Sequence, residues 1–263
     1  MQLRGAVIVI TGGASGIGAA MARRFDAESP SAIVVADVDL DGATNVAAEL
    51  ATPAVAMRCD VSDPDQVASL VSDVQDTRGP IDLFCSNAGI GSGHGLDADP
   101  ATWERVFRVN SLSIVWAARA LLAQARGGHP CRLLVTASAA GLLTNLGDAP
   151  YTATKHAAVG LAEWISITHG DEGLSVACLC PQGVRTPLVT GGLDDGQLAA
   201  GVVELMGLIE PDECAEAVMV GLADDRFLIL PHPEVADYQL RKATEPDRWL
   251  GGMRKLQRQL TGR

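Results

Sequence analysis

A tyrosine and a lysine four positions apart, Tyr151 and Lys155, are the side chains whose types and spacing best suit proton chemistry. They open a long helical pattern, and residues four apart on a helix share one face. A free phenol has a pKa of about 10 and is a poor base at neutral pH, but a neighbouring ammonium favours the phenolate. The pair is therefore a candidate general acid/base for interconverting an alcohol and a ketone.

A glycine-rich string lies between the first strand-like run and a helical pattern. It reads Thr11-Gly12-Gly13-Ala14-Ser15-Gly16-Ile17-Gly18. Glycines permit a tight turn and a close backbone approach, and the start of the following helix offers unpaired N–H groups to a pyrophosphate. Such a string is weak evidence alone. Its position between a strand and a helix makes it a predicted dinucleotide-binding turn.

An aspartate, Asp37, ends the second strand-like run, 19 residues after Gly18. A carboxylate there can accept hydrogen bonds from both adenosine ribose hydroxyls and would repel a 2′-phosphate. Asp39 adds to the repulsion, and the residue between them, Val38, supplies no cation. The sequence therefore favours NAD over NADP. The alternative is that Asp37 only caps the following helix, where aspartate is common.

Two further groups follow strand-like runs: Asp60-Val61 after the third, and Asn87-Ala88-Gly89 after the fourth. Open α/β sheets bind ligands at the carboxyl ends of their strands. An adenine could rest against Asp60-Val61, and a helix-capping turn explains Asp60 equally well.

The elements that must position these residues alternate between β-rich runs and helical segments, which predicts a parallel sheet covered on both faces. The predicted strands are 6–11, 32–36, 54–59, 81–86, 132–137, 174–180 and 226–230. The predicted helices are 16–28, 41–50, 64–77, 101–125, 151–169 and 211–223, with Asp63-Pro64 and Glu210-Pro211 as helix starts. We expect one α/β domain over residues 1–263, with a doubly wound, seven-stranded sheet in three layers.

Two segments fall outside that alternation. Residues 187–210 are an insertion of mixed glycine and leucine. Residues 234–263 form a tail in which Trp249, Met253, Leu256 and Leu260 recur at helical spacing. We expect the tail to pack on its own domain; a neighbouring subunit and the cleft are the alternatives.

Composition disfavours several other function classes. The net charge is −12 and no basic run occurs, which argues against nucleic acid or an anionic membrane as partner. Residues 1–10 are too short for a signal peptide or a membrane span, and no later segment has the length of a spanning helix without charges, so we expect a soluble, cytoplasmic protein. The six cysteines have neither zinc-ligand nor C-x-x-C spacing, which predicts buried free thiols and no metal site.

Taken in chain order, these motifs resemble the short-chain dehydrogenase/reductase family, over roughly residues 5–232. The matching positions are T-G-x-x-x-G-x-G at 11–18, Asp60, N-A-G at 87–89, Asn110, Ser138, Tyr151 and Lys155. The resemblance implies a Rossmann fold and hydride transfer between NAD and a carbonyl or secondary alcohol.

The resemblance also implies roles for single residues. Tyr151 would be the proton donor or acceptor, and Ser138 would hold the substrate oxygen. Lys155 would bind the nicotinamide ribose and lower the tyrosine pKa, Asn110 would hold a water in a proton relay, and Thr186 would orient the nicotinamide carboxamide. Each residue considered alone has a structural alternative: Asn110 could bend or cap its helix, Ser138 could be a turn residue, and Thr186 could be a helix cap. The expected cofactor-binding residues are Gly12, Ser15, Gly16, Ile17, Gly18, Asp37, Asp60, Val61, Asn87, Ala88, Gly89, Tyr151, Lys155, Pro181, Val184 and Thr186.

Two positions depart from the family pattern. Ser86 replaces the first asparagine of the commoner N-N-A-G string. We expect little loss of cofactor binding from this change, because Asn87 remains. Gln182 follows Pro181 where the family usually has glycine, and a larger polar side chain there could reach the nicotinamide or the substrate.

The segments expected to wall the substrate cleft are residues 139–146, His94 with its flanking glycines, and residues 187–210. They carry few charges, which predicts an apolar or modestly polar ring or chain alcohol rather than a phosphorylated or acidic substrate. Ordinary core and lid packing is an equal alternative, and His94 is expected to be a loop residue. The apolar residues concerned are Leu142, Leu143, Leu146, Leu188, Val189, Leu205 and Met206.

By the same resemblance we expect a homodimer or homotetramer joined through helices 101–125 and 151–169. Two other functions stay open. The first is an epimerase or dehydratase, which shares the fold but usually has a larger C-terminal domain than this chain offers. The second is a non-catalytic NAD-binding sensor, which usually lacks the tyrosine or the lysine that are both present here.

Overall fold

A computed structural model of the protein describes residues 1–262 and shows a single sheet of seven parallel strands. The strand order is β3-β2-β1-β4-β5-β6-β7. The strands are β1 Val7–Thr11, β2 Ala32–Asp37, β3 Ala54–Arg58, β4 Leu83–Ser86, β5 Cys131–Thr136, β6 Leu174–Leu179 and β7 Leu228–Ile229. The order reverses direction between β1 and β4, so the carboxyl ends of these strands open a crevice, where such sheets bind ligands. The predicted strands and doubly wound topology are confirmed.

Helices cover both faces of the sheet. They are α1 Gly16–Asp26, α2 Leu40–Glu49, α3 Pro64–Arg78, α4 Pro100–Phe107, α5 Ser113–Arg126, α6 Ala149–His169, α7 Pro187–Asp194, α8 Leu198–Leu205, α9 Pro211–Ala223, α10 Glu234–Thr244 and α11 Pro246–Thr261. Helices α3 and α9 begin at Pro64 and Pro211 as predicted, with Asp63 and Glu210 as their N-caps. Proline is tolerated there because its missing N–H would have no partner in a first turn.

The alternation of side chains along each strand divides the core into two apolar clusters. On β1, Val7 and Val9 belong to the cluster under α3, α5 and α6, whereas Ile8 and Ile10 belong to the cluster under α1, α2 and α9. Each fully buried aliphatic side chain contributes about 1.5–3 kcal/mol relative to an exposed one. Because both faces are covered, the strands are mostly apolar and do not alternate regularly with polar residues.

Two predicted segments differ from the observed ones, and the tail agrees with its prediction. The predicted helix 101–125 is interrupted by a π-helical turn, Arg108–Leu112, which separates α4 from α5. The predicted insertion 187–210 contains two helices, α7 and α8, whose glycine content concealed them. The tail forms α10 and α11, with Trp249 packed against the α3/α5/α6 cluster of its own domain, as expected.

Within the described residues, the continuous helical run Pro100–Arg126 has the length and apolar character that a membrane span also needs. Its 18-residue apolar window is 44% buried inside the fold. The run packs on α3 and α6 as a core helix does.

Candidate active site

The glycine-rich turn between β1 and α1 folds so tightly that side chains would not fit. A Cβ added at Gly18 would lie 2.1 Å from the carbonyl oxygen of Gly12, and one at Gly12 would lie 2.7 Å from the Cα of Ala88. Gly12 also has a φ of +65°, in the left-handed region that favours glycine. The turn leaves the N-terminus of α1 open at the crevice, which suits a pyrophosphate.

Asn87 ties three strand ends together beside that turn. Its side-chain amide donates to the carbonyl oxygens of Thr11, at 3.0 Å, and Gly12, at 3.2 Å. The Thr136 hydroxyl donates to its Oδ1 at 3.1 Å. Asn87 therefore fixes the position of the turn relative to β4 and β5, so that the crevice is held open by the protein itself.

Asp37 lies at the end of β2 and faces the glycine-rich turn. Its carboxylate accepts the Ala14 N–H and the Asp39 N–H, each at 3.0 Å. The N-cap of α2 is Asp39, which accepts the Gly42 N–H at 3.0 Å, so the alternative that Asp37 caps that helix is wrong. Asp60 likewise does not cap α3, since that N-cap is Asp63.

Residues from all these strand ends line one elongated cavity of about 370 Å³. The predicted cofactor residues that line it are Gly12, Ser15, Gly16, Ile17, Asp37, Asp60, Val61, Asn87, Ala88, Gly89, Tyr151, Lys155, Pro181 and Thr186. Gly18 and Val184 do not line the cavity: Gly18 lies against Gly12, and Val184 is buried in the α1/α2/α9 cluster. We call this cavity the nucleotide cleft. The glycine cradle and the carboxylate at its far end fit a dinucleotide.

Sequence reasoning missed other residues of the cleft wall. Arg105 and Val109 enter it from α4 and the π-helical turn, and Thr136 enters from the end of β5. The end of a strand was a usable signal for Thr136, because strand ends meet at this edge. No comparable signal marks Arg105, since the periodicity of α4 does not show which side meets the cleft.

Tyr151 and Lys155 lie together at the other end of the cleft, one helical turn apart on α6. The Lys155 Nζ is 5.5 Å from the centroid of the Tyr151 ring and donates to the Thr136 carbonyl oxygen at 2.9 Å. Burial lowers the pKa of Lys155 to about 8. Burial also raises the pKa of Tyr151 to about 12, opposed by a hydrogen bond with Ser138. The shared face is as predicted, and in the protein alone burial is the largest influence on the pKa of the phenol.

Ser138 follows β5 and is a turn residue as well as a neighbour of Tyr151. Its hydroxyl accepts the Ala140 N–H at 3.0 Å and contacts the Pro181 carbonyl oxygen at 3.4 Å. The side chain is buried, with its oxygen on the same side of the cleft as the phenol. A carbonyl or hydroxyl oxygen of a substrate can therefore be held between two hydroxyl groups.

Asn110 lies in the π-helical turn, and its side chain is fully engaged. Its Oδ1 accepts the Ile90 N–H at 2.9 Å, and its Nδ2 donates to the Ile90 carbonyl at 2.8 Å and to the Thr154 hydroxyl at 3.1 Å. The residue therefore joins the loop after β4 to α6. A π-turn interrupts the regular carbonyl pairing of a helix and is frequent at functional sites. Thr186 occupies the N-cap position of α7, but its side chain makes no capping bond and faces Gly16.

A second, smaller cavity of about 120 Å³ adjoins the nucleotide cleft at Tyr151 and Leu188, which line both, and Ser138 lies on its wall. We call it the substrate pocket. Of the apolar residues predicted to wall it, those that do so are Leu143, Leu188, Val189 and Met206. The predicted residues Leu142, Leu146 and Leu205 do not line it; Leu142 is buried in the core and Leu205 is 64% exposed. Helix α8, within the predicted wall segment 187–210, supplies further residues that were not singled out: Ala199, Ala200, Val202 and Val203.

Asp148, another residue missed from the sequence, organises the entrance to α6. Its buried carboxylate accepts the Ser92 N–H and hydroxyl at 2.7 Å each, the Gly93 N–H at 2.8 Å and the Tyr151 N–H at 2.9 Å. It is the N-cap of the helix that carries Tyr151 and Lys155. A signal existed in the sequence, because Asp148 lies two residues before Pro150 at the start of a helical pattern, although Asp63 precedes its proline directly.

Comparison with known proteins agrees with this geometry. Residues 6–195 match the family model described as short chain dehydrogenase. The chain is 34% identical to a (+)-cis,trans-nepetalactol synthase of Nepeta racemosa, covering 90% of this chain and 91% of that protein. It is 34% identical to a 1-deoxy-11-beta-hydroxypentalenate dehydrogenase of Streptomyces exfoliatus, covering 89% and 86%. A short chain dehydrogenase/reductase of Burkholderia phymatum, solved in complex with NAD, superposes with a TM-score of 0.84 at 26% identity, covering 94% and 96%.

Proposed function

The chain belongs to the short-chain dehydrogenase family, and from that premise we propose that it is an enzyme specific for NAD rather than NADP. Its reaction is an oxidoreduction of an alcohol and a ketone with a nicotinamide cofactor. The nicotinamide, when bound in the nucleotide cleft, supplies or accepts the hydride. The observation that carries the preference for NAD is the Asp37 carboxylate on the wall of that cleft.

Asp37 supports this preference by charge and by fixed position. Two backbone N–H groups hold its carboxylate, and neither Ser15 nor Val38 beside it carries a positive charge. A 2′-phosphate would be repelled by the negative charge of Asp37, whereas the ribose hydroxyls would donate hydrogen bonds to it.

In Asp37→Asn the charge is lost while an acceptor oxygen remains. We expect the preference for NAD, measured as the ratio of kcat/KM for the two cofactors, to fall by about 10- to 100-fold. An unchanged ratio would overturn the assignment.

Tyr151 is proposed as the general acid/base and Ser138 as the group that holds the reacting oxygen. When an alcohol is oxidised, the phenolate takes the hydroxyl proton, and when a ketone is reduced, the phenol returns it. Lys155 is held 5.5 Å from the ring centroid and is buried, so its charge acts on the phenol through a medium of low polarity. In Tyr151→Phe we expect turnover of secondary alcohols to vanish while NAD binding, followed by calorimetry, persists.

The further residue roles are part of the same proposal. Asn110 holds the π-helical turn beside α6, from which a backbone carbonyl can hold a water of the proton relay. The Thr186 hydroxyl makes no capping hydrogen bond and lies close to the glycine-rich turn. From there it can orient the carboxamide of the nicotinamide. The proposed substrate is a small apolar or modestly polar alcohol or ketone, because apolar side chains dominate the pocket wall.

We also propose that the protein is a cytoplasmic homo-oligomer joined through α6. Trp164 and Ile167 on that helix are 57% and 85% exposed, more than large apolar side chains favour in a monomer. Light scattering at micromolar concentration is expected to give at least a dimer. The alternative of a non-catalytic NAD sensor is disfavoured, since Tyr151 lines both cavities, with Ser138 beside it in the substrate pocket and Lys155 beside it in the nucleotide cleft.

A further inference from the structure

Gln182 supplies an amide to the substrate pocket, where it lies close to the reacting groups. It directly follows Pro181, whose carbonyl oxygen lies 3.4 Å from the Ser138 hydroxyl, and it lines the pocket together with Ser138 and Tyr151. A substrate whose reacting oxygen contacts those two hydroxyls therefore places its neighbouring carbons beside residue 182. The proposed chemistry does not use this side chain.

The backbone of Gln182 is fixed on both sides. The Pro181 carbonyl accepts the Ala139 N–H at 2.8 Å, and the Gln182 N–H donates to Nδ1 of His232 at 3.2 Å. Nδ1 accepts this bond only as an unprotonated nitrogen, and burial, which lowers the pKa of His232, favours that form. Gly183 is packed so closely that an added Cβ would lie 2.5 Å from the Gly207 carbonyl oxygen. The side chain at 182 is thus projected from a rigid base, as substrate recognition requires.

The amide of Gln182 has no partner in the protein. Its Oε1 is buried and makes no hydrogen bond within residues 1–262. Leaving such an acceptor without a donor costs about 1–3 kcal/mol. The residue lines the substrate pocket, and the terminal torsion of glutamine is soft, so the amide can reorient towards a bound donor. A bound donor would remove that cost.

Of the other polar side chains that line the pocket, those of Tyr151, Ser138 and Asp148 are already engaged, whereas Thr144, Asn145 and Gln197 lie elsewhere on its wall. Tyr151 and Ser138 serve the reacting oxygen, and the Asp148 carboxylate is occupied by four protein donors. The pocket, at about 120 Å³, is smaller than the roughly 300 Å³ at which drug-sized ligand sites begin. A matching ligand is therefore compact and carries one donor close to its reacting carbon.

We propose that Gln182 is a specificity-determining residue that accepts a hydrogen bond from a second hydroxyl of the substrate, on the carbon next to the reacting one. The substrate class is then a compact vicinal diol and its α-hydroxy ketone, since that hydroxyl persists on both sides of the reaction. This inference rests on the proposed oxidoreductase function and names its substrate class. A simple alcohol leaves the amide unpaired, and sites of this kind discriminate strongly against such analogues.

The test compares two matched substrate pairs with NAD: 2,3-butanediol against 2-butanol, and 1,2-cyclohexanediol against cyclohexanol. We expect kcat/KM of the wild-type protein to be about 10- to 100-fold higher for each diol. In Gln182→Met, which keeps the length of the side chain and removes the amide, that preference should shrink to within about threefold. The simple alcohols should retain their kcat/KM, which separates lost recognition from lost folding. Gln259→Met, on the exposed face of α11, is the control for the substitution itself.

The outcomes separate the inference from the proposed function. Turnover of both members of a pair without a preference, or a preference that survives in Gln182→Met, overturns the role of Gln182 and leaves the oxidoreductase standing. Failure of all four alcohols overturns the substrate class and counts against the proposed function as well.

Discussion

Replacing Asp148 by alanine should destabilise the protein far more than loss of an ordinary helix cap. The carboxylate is 3% exposed and accepts four hydrogen bonds, from Ser92, Gly93 and Tyr151. A hydrogen bond to a charged group contributes about 1.5–3 kcal/mol, but the four losses do not add, because water reaches the half-buried Ser92 and Gly93 after truncation. We therefore expect Asp148→Ala to lower the free energy of unfolding by about 4 kcal/mol.

Thermal unfolding at fixed protein concentration measures this effect. For a chain of this size each kcal/mol lowers Tm by about 2–4 °C, so Asp148→Ala should lower it by about 8–16 °C. Asp99→Ala is the matched control, since Asp99 also caps a helix that begins with proline but is exposed and accepts only the Thr102 N–H, at 2.6 Å. Its Tm should fall by well under half as much. Equal shifts for the two variants would refute the reasoning that burial and multiple donors make Asp148 special.

Two further predictions concern the nucleotide cleft and its lysine. Burial lowers the pKa of Lys155 to about 8 from 10.5, so between these values the unfolded chain binds more protons, and this residue's contribution to stability rises with pH. Lys155→Met should therefore raise the free energy of unfolding of the ligand-free protein at pH 7 by up to about 3 kcal/mol. Urea unfolding should show this gain in stability shrinking towards pH 10. A gain that stays constant between pH 7 and pH 10 would contradict the expectation. Gly18→Ala places a Cβ 2.1 Å from the Gly12 oxygen and should both destabilise the fold by more than about 2 kcal/mol and abolish NAD binding in calorimetry. Gly252→Ala, in α11 where nothing lies within 4 Å, should instead stabilise by about 0.5–1 kcal/mol, and similar behaviour of the two variants would count against the tight turn.

The sequence was sufficient to predict the sheet and most of the nucleotide cleft because both depend on local patterns. Apolar runs such as 32–36 and 174–180 are buried on both faces and form strands close to their predicted ends. Parallel strands bring their carboxyl ends to one edge, so the residues after each strand meet whatever the details of packing. Asp37 and Asn87 could be placed in the cleft by that rule alone.

The substrate pocket was less predictable because its wall depends on how α7 and α8 pack over the sheet. Leu205 and Met206 are neighbours in the sequence, yet only Met206 lines the pocket, and no motif distinguishes them. The same limit applies to Asn110, whose π-helical turn has no pattern in the predicted helix 101–125. Tertiary packing decides such positions, and local propensity does not.

Gln182 was partly predictable from the sequence: its location could be predicted, and its hydrogen bonding could not. Its position after β6 could be predicted, because the strand end fixes it beside Ser138. Its partner could not be predicted, since only the folded chain shows that His232 takes the backbone N–H while Oε1 is left without a donor. This departure from the family pattern at a strand end is therefore best tested on the substrate, because within residues 1–262 the Oε1 of Gln182 has no donor.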